Sequence, residues 1–238
     1  MQNANVDLKP VLYKVLKVIL IVHVAVLGAG FILIYTCKYF NPMFTSLQLY
    51  RTVSGVKNEP VIFVPLSHVD APLKKVLIKL EDPSFRTHSG VDFDALVMAY
   101  KINRRVGRNV VGGSTITQQL TRTLFLLPYK NYARKYLELI LALEMDALLS
   151  KNRILELYFN YVEFGKGVYG IGQAAQHYFH KEISQLSVDQ LTQLIIILPS
   201  PVKYSPKDIQ RKSFFRKRYN ILSRDPSLNQ YVEEGAPD

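Results

Sequence analysis

Apolar positions in this chain follow two different rules. Between Val18 and Tyr35 they form a run of 18 residues, interrupted only by His23, with Val15 and Leu16 just ahead of it. That length reaches the lower limit for crossing a hydrocarbon core about 30 Å thick. A run apolar on every side has no polar face to give to water, so a core helix of a soluble domain is the weaker explanation. A cleaved signal fits poorly too. Its apolar core is usually roughly 7–15 residues and ends in small side chains, whereas Tyr35, Lys38, Tyr39 and Phe40 follow here. The sequence therefore predicts a tail at residues 1–14 and an uncleaved transmembrane anchor at 15–38. Lys9, Lys14 and Lys17 precede the run and the basic residues after it are sparser, which favours a cytoplasmic N-terminus and an exported body.

Beyond the anchor the rule changes. Residues 39–65 read as a mixed linker punctuated by Asn41-Pro42, Ser54-Gly55 and Glu59-Pro60, and its middle alternates as a short strand would. From Pro72 the spacing becomes three and four. Leu73, Val76, Leu77 and Leu80 predict a helix that Pro83 closes just past Glu81. Further helices are expected from Asp92 to Arg105, from Thr115 through Leu124, from Tyr132 to Ser150, from Asn152 to Tyr161, from Gln173 to Phe179 and from Val188 to Leu198. Thr115 followed by Gln118 reads as a capping box. The body, residues 66–206, is expected to be mainly α. Residues 207–238 form a basic helix candidate, Ile209 to Ser223, and a polar tail.

Charge narrows the partners. Thirty Lys and Arg against nineteen Asp and Glu give a net +11. Such a balance often signals nucleic acid, but an anchor argues against that, and anionic headgroups or a phosphorylated substrate fit better. A single cysteine, Cys37, excludes intrachain disulfides and any cysteine metal site. His177 and His180 lie three apart but lack a third ligand, so no metal site is expected.

Three polar clusters stand out against the apolar pattern. Glu81 ends an apolar helix beside Asp82 and just before Pro83, a place that can aim a carboxylate into a cleft. The plain alternative is a solvated helix end. Gly112-Gly113 before a capped helix start suits an anion, because free N–H groups and the helix dipole converge there. An ordinary loop-to-helix junction is commoner, but two adjacent amides, Gln118 and Gln119, have no evident core role. Arg134, Lys135 and Glu138 can share one helical turn. On spacing alone they would be a surface ion-pair row. Ser54-x-x-Lys57 and Ser200-x-x-Lys203 match the start of a transpeptidase motif, but no Lys-Thr-Gly follows either.

Together, Glu81-Asp82-x-x-Phe85-x-x-His88-x-Gly90, Gly113-Ser114-Thr115-Ile116-Thr117-Gln118-Gln119 and Arg134-Lys135-x-x-Glu138 closely resemble the signature motifs of the peptidoglycan glycosyltransferases. The resemblance runs from about Leu66 to Pro206. It continues through Ser150-Lys151-x-x-Ile154-Leu155-Glu156-x-Tyr158-x-Asn160 and through the glycines and alanines from Phe164 to Phe179. It implies a mainly α, lysozyme-like two-lobed domain that polymerises lipid II by inverting transfer and releases undecaprenyl pyrophosphate.

In that pattern Glu81 is the catalytic base and Glu138 the second essential carboxylate. Ser114, Thr115 and Gln119 line the donor site, Lys135 clamps the pyrophosphate and Arg134 supports the cleft. Asp82, Phe85 and His88 shape the loop around the base. Arg122 stands where lysine is usual and keeps the charge for pyrophosphate, while Thr123 replaces the usual asparagine. The implied partners are lipid II, the growing lipid-linked glycan, the membrane and other wall-synthesis proteins, with no nucleic acid. The implied place is the bacterial cytoplasmic membrane, with the catalytic domain on its outer side. A divalent cation, Mg or Mn, stays open. The rivals are a lytic enzyme cutting the same glycan and a catalytically idle scaffold. Because every motif lies beyond Leu66, the span is expected to anchor without entering the chemistry.

Overall fold

The computed structural model of the protein describes residues 9–222. Its first element, α1 (Lys9–Tyr39), is a single helix of 31 residues. At 1.5 Å per residue it is about 46 Å long, enough to cross a bilayer core. Much of its apolar surface is exposed, including Val18 to Val22, Ile32 and Leu33. One stripe is not. Gly30, Ile34 and Cys37 are buried and His23 half-buried, at spacings that share one helix face.

That stripe lies along α6 (Tyr132–Leu148). A Cβ at Gly30 would stand 2.4 Å from Leu141 Cδ2 and 2.9 Å from Glu144 Oε2, so a larger residue there would push these side chains aside. Lower down, the Tyr136 hydroxyl and His23 Nε2 are 2.7 Å apart. Arg153 on α7 (Lys151–Tyr161) holds the other end, donating to the carbonyls of Cys37 (2.9 Å) and Phe40 (3.0 Å). A guanidinium there satisfies carbonyls that the helix leaves unpaired. The expected bare anchor is thus half anchor and half packing element.

The stretch after α1 differs from expectation. Its middle is not a strand but α2 (Ser46–Val53). The reason is local: Thr45 accepts from the Gln48 amide, and the Gln48 side chain accepts from Thr45 in return. Such a box favours a helix start by about 1 kcal/mol, and it overrides a weak alternation. Arg51 then ties α2 to the body by a two-pronged pair with Glu163, at 2.9 and 2.8 Å.

The remaining helices form two groups. In one, α5 (Ile116–Phe125) packs against α2, α6 and α7. In the other, α3 (Ala71–Glu81) packs on α9 (Val188–Ile197), and α9 on α10 (Ser213–Leu222). α4 (Phe93–Val106) leads from the first motif loop toward α5. The only strands among the described residues are β1 (Glu163–Gly165) and β2 (Val168–Tyr169), a small antiparallel hairpin that leads into α8 (Ile171–Phe179). The domain is mainly α, the lysozyme-like class expected. Its core is apolar and tightly closed, with Leu77, Phe85, Ile116, Leu120, Ile154 and Phe159 wholly buried.

Candidate active site

The site forms where the C-terminus of α3, the N-terminus of α5 and the first turns of α6 converge. Pro83 stops α3, because the residue before a proline is pushed out of helical geometry, and Asp82 leaves it at φ −161°, ψ 76°. Glu81 therefore sits on the last helical residue with its side chain pointing inward, 8% exposed.

The loop after it is pinned from three sides. Asp82 accepts from His88 Nε2 at 2.9 Å and from the Ile116 amide at 2.9 Å, joining the loop to the first turn of α5. Burial pushes the Asp82 carboxyl above its ordinary range, and the His88 and Ile116 contacts pull against it. Phe85 is wholly buried, with the Lys151 ammonium 4.9 Å from its ring centroid. Lys151 also donates to the His88 carbonyl at 2.6 Å and pairs with Asp146. Gly90 closes the loop at φ +84°, and a Cβ there would stand 2.3 Å from the Ala142 carbonyl on α6. Asp82, Phe85 and His88 thus hold the loop and stand one step back from the cleft.

Thr115 opens α5 with the expected capping box, accepting from the Gln118 amide at 3.1 Å. Its own hydroxyl donates to the Gly90 carbonyl at 2.6 Å. Gln118 answers by accepting from the Thr115 amide at 2.9 Å and is wholly buried. That corrects one expectation. Of the two adjacent amides, Gln118 is used up as a cap inside the core, and only Gln119 reaches the cleft.

Gln119 Nε2 donates to Glu81 Oε2 at 3.2 Å and lies 3.4 Å from the Ser114 carbonyl. The Glu81 carboxylate only accepts, so it selects the NH2 end of the amide, and the Tyr158 hydroxyl donates to the other end, Gln119 Oε1, at 2.9 Å. On α6, Lys135 Nζ donates to Ser114 Oγ at 2.9 Å and to Glu138 Oε1 at 2.5 Å. Arg134 pairs with the other Glu138 oxygen. Glu138 is wholly buried. An unpaired carboxylate there would be prohibitive, and removing one partner of a buried pair typically costs about 3–5 kcal/mol. The row Arg134, Lys135, Glu138 is therefore an internal ion triad and not a surface one.

Arg122 follows Gln119 by one turn. It lines a neighbouring cavity of about 200 Å³ with Gln119, Arg51, Glu163 and Pro199. It has no hydrogen-bond or ion-pair partner among the described residues. The structure so joins Glu81, Gln119, Ser114, Lys135, Arg134 and Glu138 in one network and leaves Arg122 beside it.

The acidic side chains of this cleft are each hydrogen-bonded within the protein. Both Glu138 oxygens are taken by Arg134 and Lys135, and both Glu81 oxygens by Gln119 and by Arg218. Among the described residues no three His, Cys, Asp or Glu are grouped to hold a metal. His177 pairs with Glu59 at 2.8 Å, which gives that histidine a plain structural partner.

Two residues escaped the sequence reading. Tyr158 looked like one more motif aromatic. Arg218 sits among Arg211, Lys212, Arg216 and Lys217 and had nothing in sequence to mark it out. Its Nη2 donates to Glu81 Oε1 at 2.6 Å, across 137 residues of chain.

A buried carboxylate facing a paired cation across a helix N-terminus can accept a proton at one end and stabilise negative charge at the other. Residues 48–225 match the family model described as Transglycosylase, and the chain belongs to that family. Its relatives narrow the field. The chain is 44% identical over 163 residues to the biosynthetic peptidoglycan transglycosylase of Burkholderia thailandensis, covering 68% of this chain and 62% of that protein. It is 38% identical over 179 residues to the protein of the same name from Aromatoleum aromaticum, covering 73% and 78%. With that of Dechloromonas aromatica it shares 39% over 167 residues, covering 70% and 72%. The chain thus spans a little under two thirds of the Burkholderia relative's length.

Proposed function

We propose that the protein is a membrane-anchored peptidoglycan glycosyltransferase that polymerises lipid II. The observation that carries this reading is the continuous network from Glu81 through Gln119 and Ser114 to the Lys135–Glu138 pair. It sets a base at one end of a cleft and a cation at the other.

In this reading Glu81 takes the proton from the 4-hydroxyl of the N-acetylglucosamine of an incoming lipid II. The freed oxygen pair forms a bond to C1 of the N-acetylmuramic acid that ends the growing chain. The C1–O bond to pyrophosphate breaks, its electron pair leaves on undecaprenyl pyrophosphate, and the sugar centre inverts. The departing group is already an anion, so cations serve it better than an acid. Lys135, steadied by Ser114 and Glu138, meets the pyrophosphate, and Arg122 offers a second cation from the adjoining cavity. Arg134 keeps Glu138 neutralised. A divalent cation, where one takes part, arrives with the pyrophosphate.

A lytic enzyme could use one glutamate but has no use for this cation cradle. An idle scaffold would not need Glu81 and Glu138 held so closely. Single-pass anchoring in the cytoplasmic membrane with the domain outside brings the cleft to a lipid-borne substrate. The exposed apolar side chains of α4, Phe93, Val97 and Met98, would suit the headgroup region in this reading. Other wall-synthesis proteins are the natural further partners.

The test is polymer formation by the full-length protein in detergent with lipid II. Glu81→Gln keeps shape and hydrogen bonding but removes basicity, so the rate is expected to fall by about 10²–10⁴ with folding intact. A variant within a few-fold of wild type would remove Glu81 from the role of base.

A further inference from the structure

Glu81 accepts one hydrogen bond from each side of the cleft. Gln119 reaches Oε2 from α5 at 3.2 Å, and Arg218 reaches Oε1 from α10 at the shorter distance of 2.6 Å. The two donors stand on different helix groups, so together they fix the carboxylate plane as neither could alone. Each oxygen keeps a second lone pair, which leaves the carboxylate able to receive a proton.

The arginine is itself held. Its guanidinium lies 5.7 Å from the Phe214 ring centroid. α10 is seated by the buried side chains of Phe215 and Leu222, and the Tyr219 hydroxyl donates to Asp189 on α9 at 2.5 Å. α9 in turn packs on α3, the helix that ends in Glu81. The base and the arginine are thus carried on one packed stack, α3–α9–α10. That stack can keep their separation constant while substrate enters from the α5–α6 side.

We propose that Arg218 is a positioning residue for the proposed base: it holds the Glu81 carboxylate in its working orientation from the side opposite Gln119. The inference rests on the proposed function above. Neither substrate nor a phosphate is required to contact Arg218 in this role, which separates it from Lys135 and Arg122.

The experiment uses full-length protein in detergent with lipid II, and measures kcat, KM and Tm for wild type, Arg218→Met, Arg218→Lys and Lys217→Met. Lys217 is the exposed neighbour that touches none of the site. Misplacing a catalytic group costs about 10²-fold, so Arg218→Met should lose about ten- to a hundredfold in kcat with KM within about threefold and Tm unchanged. Arg218→Lys should recover most of the loss, because an ammonium can still donate to Oε1. Lys217→Met should match wild type.

A raised KM at unchanged kcat would make Arg218 a substrate ligand and overturn the proposal, as would unaltered kinetics in Arg218→Met. A kcat loss that tracks a fallen Tm and is not rescued by lysine would reduce it to a packing residue, which also overturns it. Wild-type protein that makes no polymer would instead strike the underlying reading.

Discussion

Lys135 and Ser114 share a hydrogen bond of 2.9 Å that links the first turn of α6 to the loop that opens α5. The same ammonium pairs with Glu138. An ammonium has three donors, and these two bonds leave one for an incoming anion.

Replacing Lys135 with Met keeps the apolar stem and removes that donor, along with half of the neutralisation of buried Glu138. Charge-assisted bonds of this kind contribute about 1.5–3 kcal/mol. Binding of a phosphoglycolipid donor mimic is expected to weaken about 10- to 100-fold. Ser114→Ala, which only loosens the ammonium, should cost less than tenfold. Isothermal titration on the full-length protein checks both, and equal affinity in all three proteins would remove Lys135 from the donor site.

Tyr158→Phe tests the orientation of Gln119. Without the phenol, Gln119 Oε1 loses its donor and the amide is held only from the Glu81 and Ser114 side. Turnover should fall about three- to tenfold with little change in KM. Burial holds the Tyr158 phenol well above its ordinary pKa, so it stays a neutral donor throughout an assay range of about pH 6 to 9. The defect should therefore be the same at every pH in that range, and a defect confined to one end would point to a titrating role.

Glu144 gives a pH dependence of stability. Its Oε2 is buried without a partner against Gly30, and burial raises its carboxyl pKa. An acid with a raised native pKa holds its proton more tightly when folded. Its contribution is thus most favourable below the ordinary carboxylate range and is lost as pH rises through the raised value. Melting of the wild type should fall relative to Glu144→Gln as pH rises above the ordinary carboxylate range. Parallel melting curves over that rise would contradict the placement.

Much of this site could be read from the chain because its parts are local. Glu81 before Asp82-Pro83, Thr115 with Gln118, and Arg134-Lys135 with Glu138 each declare themselves within five residues, where helix spacing and capping rules apply. What stayed hidden depends on long-range closure. Arg218 is one cation among five in a short basic stretch, and only the packing of α10 on α9 selects it. Gln118 and Gln119 look equivalent in sequence, and the capping geometry alone sends one into the core and the other into the cleft. The α2 helix was masked by an alternation that a two-residue cap outweighs. The anchor showed its apolar character plainly, but not that Gly30 marks a face already spoken for.

That face bears on how the protein can be handled. A fragment cut after residue 40 to gain solubility would strip α6 of its cover and uncover Leu141 and its neighbours as a fresh apolar stripe on the helix that carries Lys135 and Glu138. Such a fragment would be prone to self-association, and would present a loosened α6 for reasons unrelated to membrane attachment. A better soluble version would keep the α1 segment from His23 to Tyr39 and exchange only its outward residues, such as Phe31, Ile32 and Tyr35, for polar ones.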